Sequence, residues 1–86
     1  PRPGSPTLGP VNRAALALIS ATRTALRDGS AKIARERAGI TQAEMAAVLG
    51  VSRPAISMWE AGKRQPGTRL ALAYGRALAA LVPKAA

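Results

Sequence analysis

Cationic side chains carry most of the chemistry that this sequence offers. The 86 residues include 13 Lys and Arg against 4 Asp and Glu, which gives a formal charge of +9 and an isoelectric point near 11.8. A small chain with this balance is attracted to polyanions, and to nucleic acid before membranes. Because it has no Cys and no His, disulfides, thiolate zinc sites, cysteine nucleophiles and histidine acid–base catalysis are excluded. No two acidic residues are placed as a catalytic pair, so we expect no enzyme activity, metal or cofactor.

The spacing of small and apolar residues in the segment 42–61 predicts two short helices joined by a tight turn. Ala46 lies where two helices crossing at about 90–120° leave little room for a side chain. Gly50 lies where the chain reverses, which favours a residue that adopts positive φ without a steric clash. The sequence therefore predicts a scaffold helix over 42–49 and a recognition helix over 53–61. The apolar residues expected to form their shared core are Met45, Leu49, Val51, Ile56 and Trp59.

Several residues of the second helix and its N-cap are of types that contact base edges in DNA. An α-helix fits the major groove of B-DNA, and its N-terminal residues reach the bases. Arg53 can donate two N–H bonds to guanine O6 and N7, with a phosphate contact or a solvated side chain as the alternative. Met58 can contact a thymine methyl group or flank the core. The predicted base-reading residues are Ser52, Arg53, Pro54, Ser57 and Met58.

Other positions suit DNA phosphates. Gln42 opens the scaffold helix, where free backbone N–H groups and the positive end of the helix dipole favour an anion. Lys63 and Arg64 follow the recognition helix in a basic, turn-rich loop, for which simple solvation is the alternative. We expect these three residues to contact the DNA backbone.

Three more helices complete the predicted fold. The segment 1–10 contains four prolines and two glycines and is expected to be a disordered arm. An amphipathic helix is expected within 11–29, with Arg23 among the residues that face away from its apolar side. The remaining predicted segments are a helix over 31–38 capped by Ser30, a closing helix over 68–81 with Tyr74 on its apolar side, and a tail over 83–86.

Residues 31–81 resemble the Cro/cI-type helix-turn-helix family of phage repressors and bacterial regulators. The resemblance rests on TQAE at the scaffold helix and on WEAGKRQP at the end of the recognition helix. It implies an all-α, lambda-repressor-like DNA-binding domain over 30–82, in a bundle of about five helices that includes an extra N-terminal one. The resemblance also implies that Gln42 contacts the sugar–phosphate backbone. It implies that Arg35 pairs with Glu60 and so neutralises a carboxylate on a DNA-facing helix.

The chain departs from this family at both ends. Such domains commonly close with a fifth helix after the fourth, and they seldom have an amphipathic helix in front. The N-terminal helix either takes the place of the missing helix in the core or forms a dimer interface. The residues expected to serve one of these two roles are Val11, Leu18 and Leu26. Further apolar surface for a dimer is expected near Leu78 and Leu81.

The expected function is sequence-specific binding of double-stranded DNA as a transcriptional regulator, by a homodimer on a palindromic operator. The alternative is an antitoxin that binds a protein toxin and autoregulates its operon. No apolar run approaches the ~20 residues that span a bilayer, and no secretory signal is evident. We therefore expect a cytoplasmic, nucleoid-associated protein without membrane contacts.

Overall fold

Five helices make up the part of the chain that the computed structural model describes, residues 12–81. They are α1 (Arg13–Asp28), α2 (Ser30–Arg37), α3 (Gln42–Leu49), α4 (Arg53–Glu60) and α5 (Thr68–Leu81). No strand occurs between residues 12 and 81, and the all-α fold predicted from the sequence is confirmed. The N-terminal arm over 1–10, Val11 and the tail over 83–86 lie outside the described residues.

Local sequence determines where α3 and α4 begin and how they are joined. Thr41 Oγ1 accepts from the backbone N–H of Glu44 at 3.0 Å, and Glu44 Oε1 accepts from the backbone N–H of Thr41 at 2.8 Å. This reciprocal capping satisfies two N–H groups at the start of α3. Gly50 ends α3 with φ at 71°, the left-handed conformation that the turn requires. Ser52 then caps α4 by accepting from the N–H of Ala55 at 3.3 Å.

The junction between α1 and α2 differs from the expectation. Ser30 is the first residue of α2 rather than its N-cap, and Gly29 precedes it with φ at 90°. Asp28 Oδ1 accepts from the backbone N–H of Ser30 at 2.8 Å and from its hydroxyl at 2.6 Å. A carboxylate is the stronger acceptor, and its charge favours the positive end of the α2 dipole. The prediction that Ser30 caps α2 was therefore wrong, because Asp28 supplies the acceptor.

The N-terminal helix is part of the interior of the domain. Its buried residues are Ala15, Ile19, Thr22 and Leu26. Among the described helices, α1 packs most extensively against α5. Leu18 is half-buried along the same contact. The apolar side of α1 thus packs within the chain and contributes to its core.

The centre of the core lies where α1, α4 and α5 meet. The largest fully buried side chains are Leu26, Ile56 and Tyr74. The rings of Trp59 and Tyr74 pack edge to face, with centroids 6.4 Å apart and planes at 68°. Ala31 of α2 and Met45 and Ala46 of α3 complete this cluster, and Leu49 and Val51 pack against it half-buried. The reading of Trp59 as a core residue therefore agrees with its position.

The contact between α1 and α5 is closest at Gly75. A methyl group at this position would lie 2.9 Å from Leu18 Cγ and closer still to Thr22 Oγ1. Glycine in a helix interior is less favourable than alanine by about 1 kcal/mol. The close approach of the two helices explains why α5 nevertheless has glycine there.

We expect Gly75→Ala to lower the free energy of unfolding by about 1–3 kcal/mol, because the added methyl group overpacks the α1–α5 contact. Urea unfolding followed by circular dichroism measures the change. Ala79→Gly, on an exposed part of the same helix, isolates the propensity difference between the two residues. An increase in stability for Gly75→Ala would show that propensity outweighs the contact.

Candidate nucleic-acid interface

Helix α4, the predicted recognition helix, has one side in the core and one side in solvent. Its buried residues are Ile56, Trp59 and Glu60, which recur at helical spacing. Arg53 and Pro54, in the first turn, are exposed, and Met58 has 39% of its surface exposed. Ser57 is half-buried between the two sides. The outer side of α4 therefore presents a guanidinium fork and two apolar groups, the chemistry that base edges in a groove can accept.

Ser52 has a structural task besides any contact with DNA. Its hydroxyl oxygen accepts the N–H of Ala55, which fixes the side chain at the start of α4. The hydroxyl proton is left available for donation, so Ser52 can act toward a ligand as a donor.

The basic loop after α4 folds back onto the end of that helix. The backbone N–H of Lys63 donates to the carbonyl of Met58 at 2.9 Å, and that of Arg64 reaches the same oxygen at 3.4 Å. Gly62 makes the reversal possible with φ at 74°. The side chains of Lys63 and Arg64 are exposed, whereas Pro66 at the far end of the loop is buried. Two adjacent cations are thus presented to solvent directly beside the C-terminal end of α4.

A buried carboxylate joins the remaining elements behind this surface. Glu60 Oε2 accepts from Arg35 Nε at 2.7 Å, and Glu60 Oε1 accepts from Arg35 Nη2 at 2.9 Å, which makes a bidentate ion pair. Tyr74 Oη donates to Oε2 at 2.7 Å, and Gln42 Nε2 donates to Oε1 at 3.0 Å. Arg35 Nη1 also donates to the carbonyl of Ile40 at 2.7 Å. Because Glu60 is on α4, Arg35 on α2, Gln42 on α3 and Tyr74 on α5, one carboxylate connects four helices.

The hydrogen bonds decide the charge state of this cluster. Burial by itself raises the pKa of Glu60, but the hydrogen bonds from Arg35, Gln42 and Tyr74 outweigh it and hold the pKa below its ordinary value. The hydrogen bond to Glu60 raises the pKa of Arg35 above its usual range. Burial, and then the bond to Glu60, raise the pKa of Tyr74 far above that of a free phenol. Glu60 and Arg35 are therefore both charged at neutral pH, and Tyr74 keeps its proton.

Gln42 is held by this cluster at the start of α3. One of its two amide N–H bonds is directed to Glu60, and its side chain is half-buried. As at any helix start, the N–H groups of the first helical residues lack intrahelical acceptors, and here the capping box occupies that of Glu44. The backbone N–H of Gln42 and the second amide N–H remain suited to an anion.

Sequence reasoning did not find the role of Tyr74, which it assigned only to the apolar side of α5. The signal was present, since a buried tyrosine usually finds a hydrogen-bond partner for its hydroxyl group. Arg23 was assigned to the outside of α1, yet its Nη2 donates to the carbonyl of Pro66 at 3.2 Å. A long, flexible side chain can reverse the direction that its position on a helix predicts.

A model of the Helix-turn-helix family matches residues 32–79, which is more than half of the chain. The chain belongs to this Cro/C1-type helix-turn-helix family. Members of this family are DNA-binding regulators, and the chain shares that general function. In this helix-turn-helix protein, α1 precedes the matched segment, while the Glu60 cluster lies within it. No curated protein and no solved structure matches the chain.

The described part of the helix-turn-helix protein has neither of two further features. Between residues 12 and 81, no group of three acidic, His or Cys side chains is placed to hold a metal ion. None of the helices in that range has the length and apolar character needed to cross a membrane.

Glu60→Gln should lower the free energy of unfolding at neutral pH by about 3–5 kcal/mol, because Arg35 is left with an uncompensated buried charge. Since the folded pKa of Glu60 lies below that of the unfolded chain, its contribution is complete above about pH 4.3 and is lost as the pH falls through the folded value. The difference in free energy of unfolding between wild type and Glu60→Gln should therefore shrink in acid. Urea titrations at several pH values measure it.

Glu36→Gln is the matched control, because Glu36 is an exposed glutamate on α2. It should change stability by much less than Glu60→Gln. The free energies of unfolding of wild type and Glu60→Gln could instead differ by the same amount from neutral pH into acid. That result would contradict the assignment of a charged, hydrogen-bonded Glu60.

Proposed function

We propose that this chain is a sequence-specific transcriptional regulator that binds double-stranded DNA with α4 in the major groove. The observation that carries the proposal is the exposed first turn of α4 with Arg53, on a helix whose other side is anchored in the core. A reading helix has to present its side chains in a fixed register, and the buried side of α4 supplies that rigidity. The membership of the helix-turn-helix family supports the same function. Such a protein acts on DNA in the cytoplasm, in association with the nucleoid.

Each residue on the outer side of α4 has a proposed part in base recognition. Arg53 donates its fork to guanine O6 and N7, and Ser57, one turn later, exchanges a hydrogen bond with either kind of base edge. Met58 and Pro54 contact thymine methyl groups, because neither can donate a hydrogen bond from its side chain. Ser52 is proposed to donate its hydroxyl proton, since its oxygen is already used by the cap of α4.

The phosphate contacts are proposed for Gln42, Lys63 and Arg64. The exposed side chains of Lys63 and Arg64 lie on a loop that is fixed to the end of α4 by backbone hydrogen bonds. Gln42 opens a helix and is oriented by Glu60. Contacts of this kind set the register of a protein on the duplex and carry no sequence information.

Two variants separate these roles in one experiment. Lys63→Ala should weaken binding to all duplexes alike and flatten the slope of log K against log salt by about 0.9, the value for one phosphate contact. Arg53→Ala should lose roughly 1–3 kcal/mol at the preferred site and relax selection at one G·C pair in each half-site. Selection of bound sites from random duplex DNA, followed by salt titration, measures both effects.

Lys32→Ala removes one exposed cation from α2 and controls for net charge alone. If Lys63→Ala changed the selected sequence, or if Arg53→Ala left it unchanged, the proposed roles would be wrong. If wild type bound no duplex in preference to another, sequence-specific regulation would fail as a whole.

Dimerisation is proposed because one recognition helix reads too few base pairs to define a site. Two-fold dimers place their reading helices about 34–36 Å apart, one turn of DNA. The apolar side of α1 is used within the monomer, so we place the contact at the end of α5. An open groove of about 270 Å³ lies there between α3 and α5. Its lining includes Ile40, Met45, Val48, Ala77, Ala80 and Leu81.

Val48 is the residue that best tests this interface, since 75% of its surface is exposed. Val48→Lys should leave the helical signal unchanged but give a monomer with weak operator binding. Leu16→Lys is the control, because Leu16 is 56% exposed on α1, away from the groove. Sedimentation velocity measures the oligomeric state of both variants. Dissociation by Leu16→Lys alone would move the interface to α1.

An antitoxin that binds a protein toxin and represses its own operon is the second candidate. It would need a surface for the toxin apart from α4. A shallow apolar groove between α1, α2 and α5, lined by Ala21, Ala25, Ala34 and Ala79 among others, favours this candidate. A toxin gene beside the gene for this chain, together with a stable complex of the two products, would decide for it. Repression without any such partner would decide against it.

A further inference from the structure

One hydrogen bond connects the N-terminal helix to the basic loop. Arg23 Nη2 on α1 donates to the backbone carbonyl of Pro66 at 3.2 Å, across 43 positions of sequence. Pro66 is buried and stands at the end of the loop, just before α5 begins at Thr68. The bond therefore fixes the far end of the loop to an element that precedes the family-matched segment.

The near end of the same loop is fixed by α4. The N–H of Gly62 donates to the carbonyl of Trp59 at 3.1 Å, and those of Lys63 and Arg64 donate to Met58. Lys63 and Arg64 thus lie between two anchors, one on α4 and one made by Arg23. A loop held at both ends loses less conformational freedom when it binds, which favours affinity.

We infer that Arg23 is a positioning residue for DNA binding, which holds Lys63 and Arg64 where they meet phosphates. This inference rests on the proposed function and adds α1 to the binding apparatus. Arg23 acts through Pro66, and its half-buried guanidinium is directed to a carbonyl of its own chain rather than to the DNA.

The environment of Arg23 argues against stability as its main contribution. Its Nε is buried and has no hydrogen-bond partner among residues 12–81. A buried N–H without a partner is costly, and this cost opposes what the bond to Pro66 contributes. An apolar side chain would fill the same space without that cost. What an apolar residue could not supply is the bond that orients the loop.

The test compares Arg23→Ala with Arg27→Ala. Each variant removes one positive charge from α1, but Arg27 is exposed in the last turn of the helix, and among residues 12–81 the side-chain hydrogen bond from α1 to the loop comes from Arg23. With a mixed-sequence DNA duplex as the probe, Arg23→Ala should weaken binding several-fold more than Arg27→Ala. It should also flatten the salt slope by about 0.9 for each phosphate contact that is lost. Hydrogen exchange at the backbone amide of Lys63, measured without DNA, should speed up in Arg23→Ala alone.

A double-mutant cycle separates positioning from general charge. In a Lys63→Ala, Arg64→Ala background, Arg23→Ala should have no further effect on binding, because the residues that it positions are gone. An equal loss in both backgrounds would overturn the inference, and so would equal behaviour of Arg23→Ala and Arg27→Ala. If wild type binds the duplex and only these comparisons fail, the inference alone is wrong. If wild type does not bind the duplex, the proposed function fails and the inference with it.

Should Arg23→Ala fail to fold by circular dichroism, Arg23→Lys and Arg27→Lys provide a second pair that leaves the net charge unchanged. Lysine keeps a cation but lacks the planar fork of the guanidinium. Weaker duplex binding and faster Lys63 exchange in Arg23→Lys alone would support the inference. Identical behaviour of the two lysine variants would overturn it.

Discussion

The buried carboxylate of Glu60 is the interaction on which the arrangement of the helices depends. It receives hydrogen bonds from Arg35, Gln42 and Tyr74, and so ties α4 to α2, α3 and α5 at one point. The hydrophobic effect has no direction, so apolar burial alone restricts the rotation of a helix less sharply than hydrogen bonds do. A carboxylate with four donated hydrogen bonds accepts only one arrangement of its donors. Polar contacts inside an apolar core therefore help to set the orientation of α4.

The same cluster also removes an electrostatic conflict. A carboxylate on the helix proposed to enter a groove would repel the DNA backbone if it faced solvent. Here it is turned inward and balanced by Arg35, and both side chains are almost fully buried. Ion pairs of this kind contribute little net stability compared with apolar residues of similar volume, so orientation is the better account of its presence.

Much of the fold could be predicted because it is encoded locally. Thr41 with Glu44, Gly50 and Ser52 act within a few residues of the chain, and the predicted helix-turn-helix has the expected boundaries to within one residue. The pairing of Arg35 with Glu60 was expected only from family resemblance, since no spacing rule relates positions on separate helices. At the first helix junction a neighbouring carboxylate took the place of the expected Ser30 cap.

The remaining features depend on which helix faces meet in space. From the sequence alone, Gly75 would only be expected to weaken α5. Its purpose becomes clear once Thr22 and Leu18 of α1 are seen to pack closely against it. The hydroxyl of Tyr74 finds its acceptor 14 residues away. For the candidate interface, residue types and approximate positions were predictable from the sequence. The way in which Arg23 and Gln42 are tied to the rest of the molecule was not, because each partner comes from another element.

The small number of acidic residues affects how the protein moves on DNA. Asp28 is engaged at the start of α2, Glu44 at the start of α3 and Glu60 in the core, so three of the four carboxylates in the chain are occupied by internal hydrogen bonds. Only Glu60 is buried, and the exposed carboxylates of Asp28, Glu36 and Glu44 are far outnumbered by the cations of a chain whose formal charge is +9. A protein with such a field stays near any duplex that it meets and travels along it by sliding and hopping. Movement along the duplex then becomes largely one-dimensional, and its range falls as the ionic strength rises.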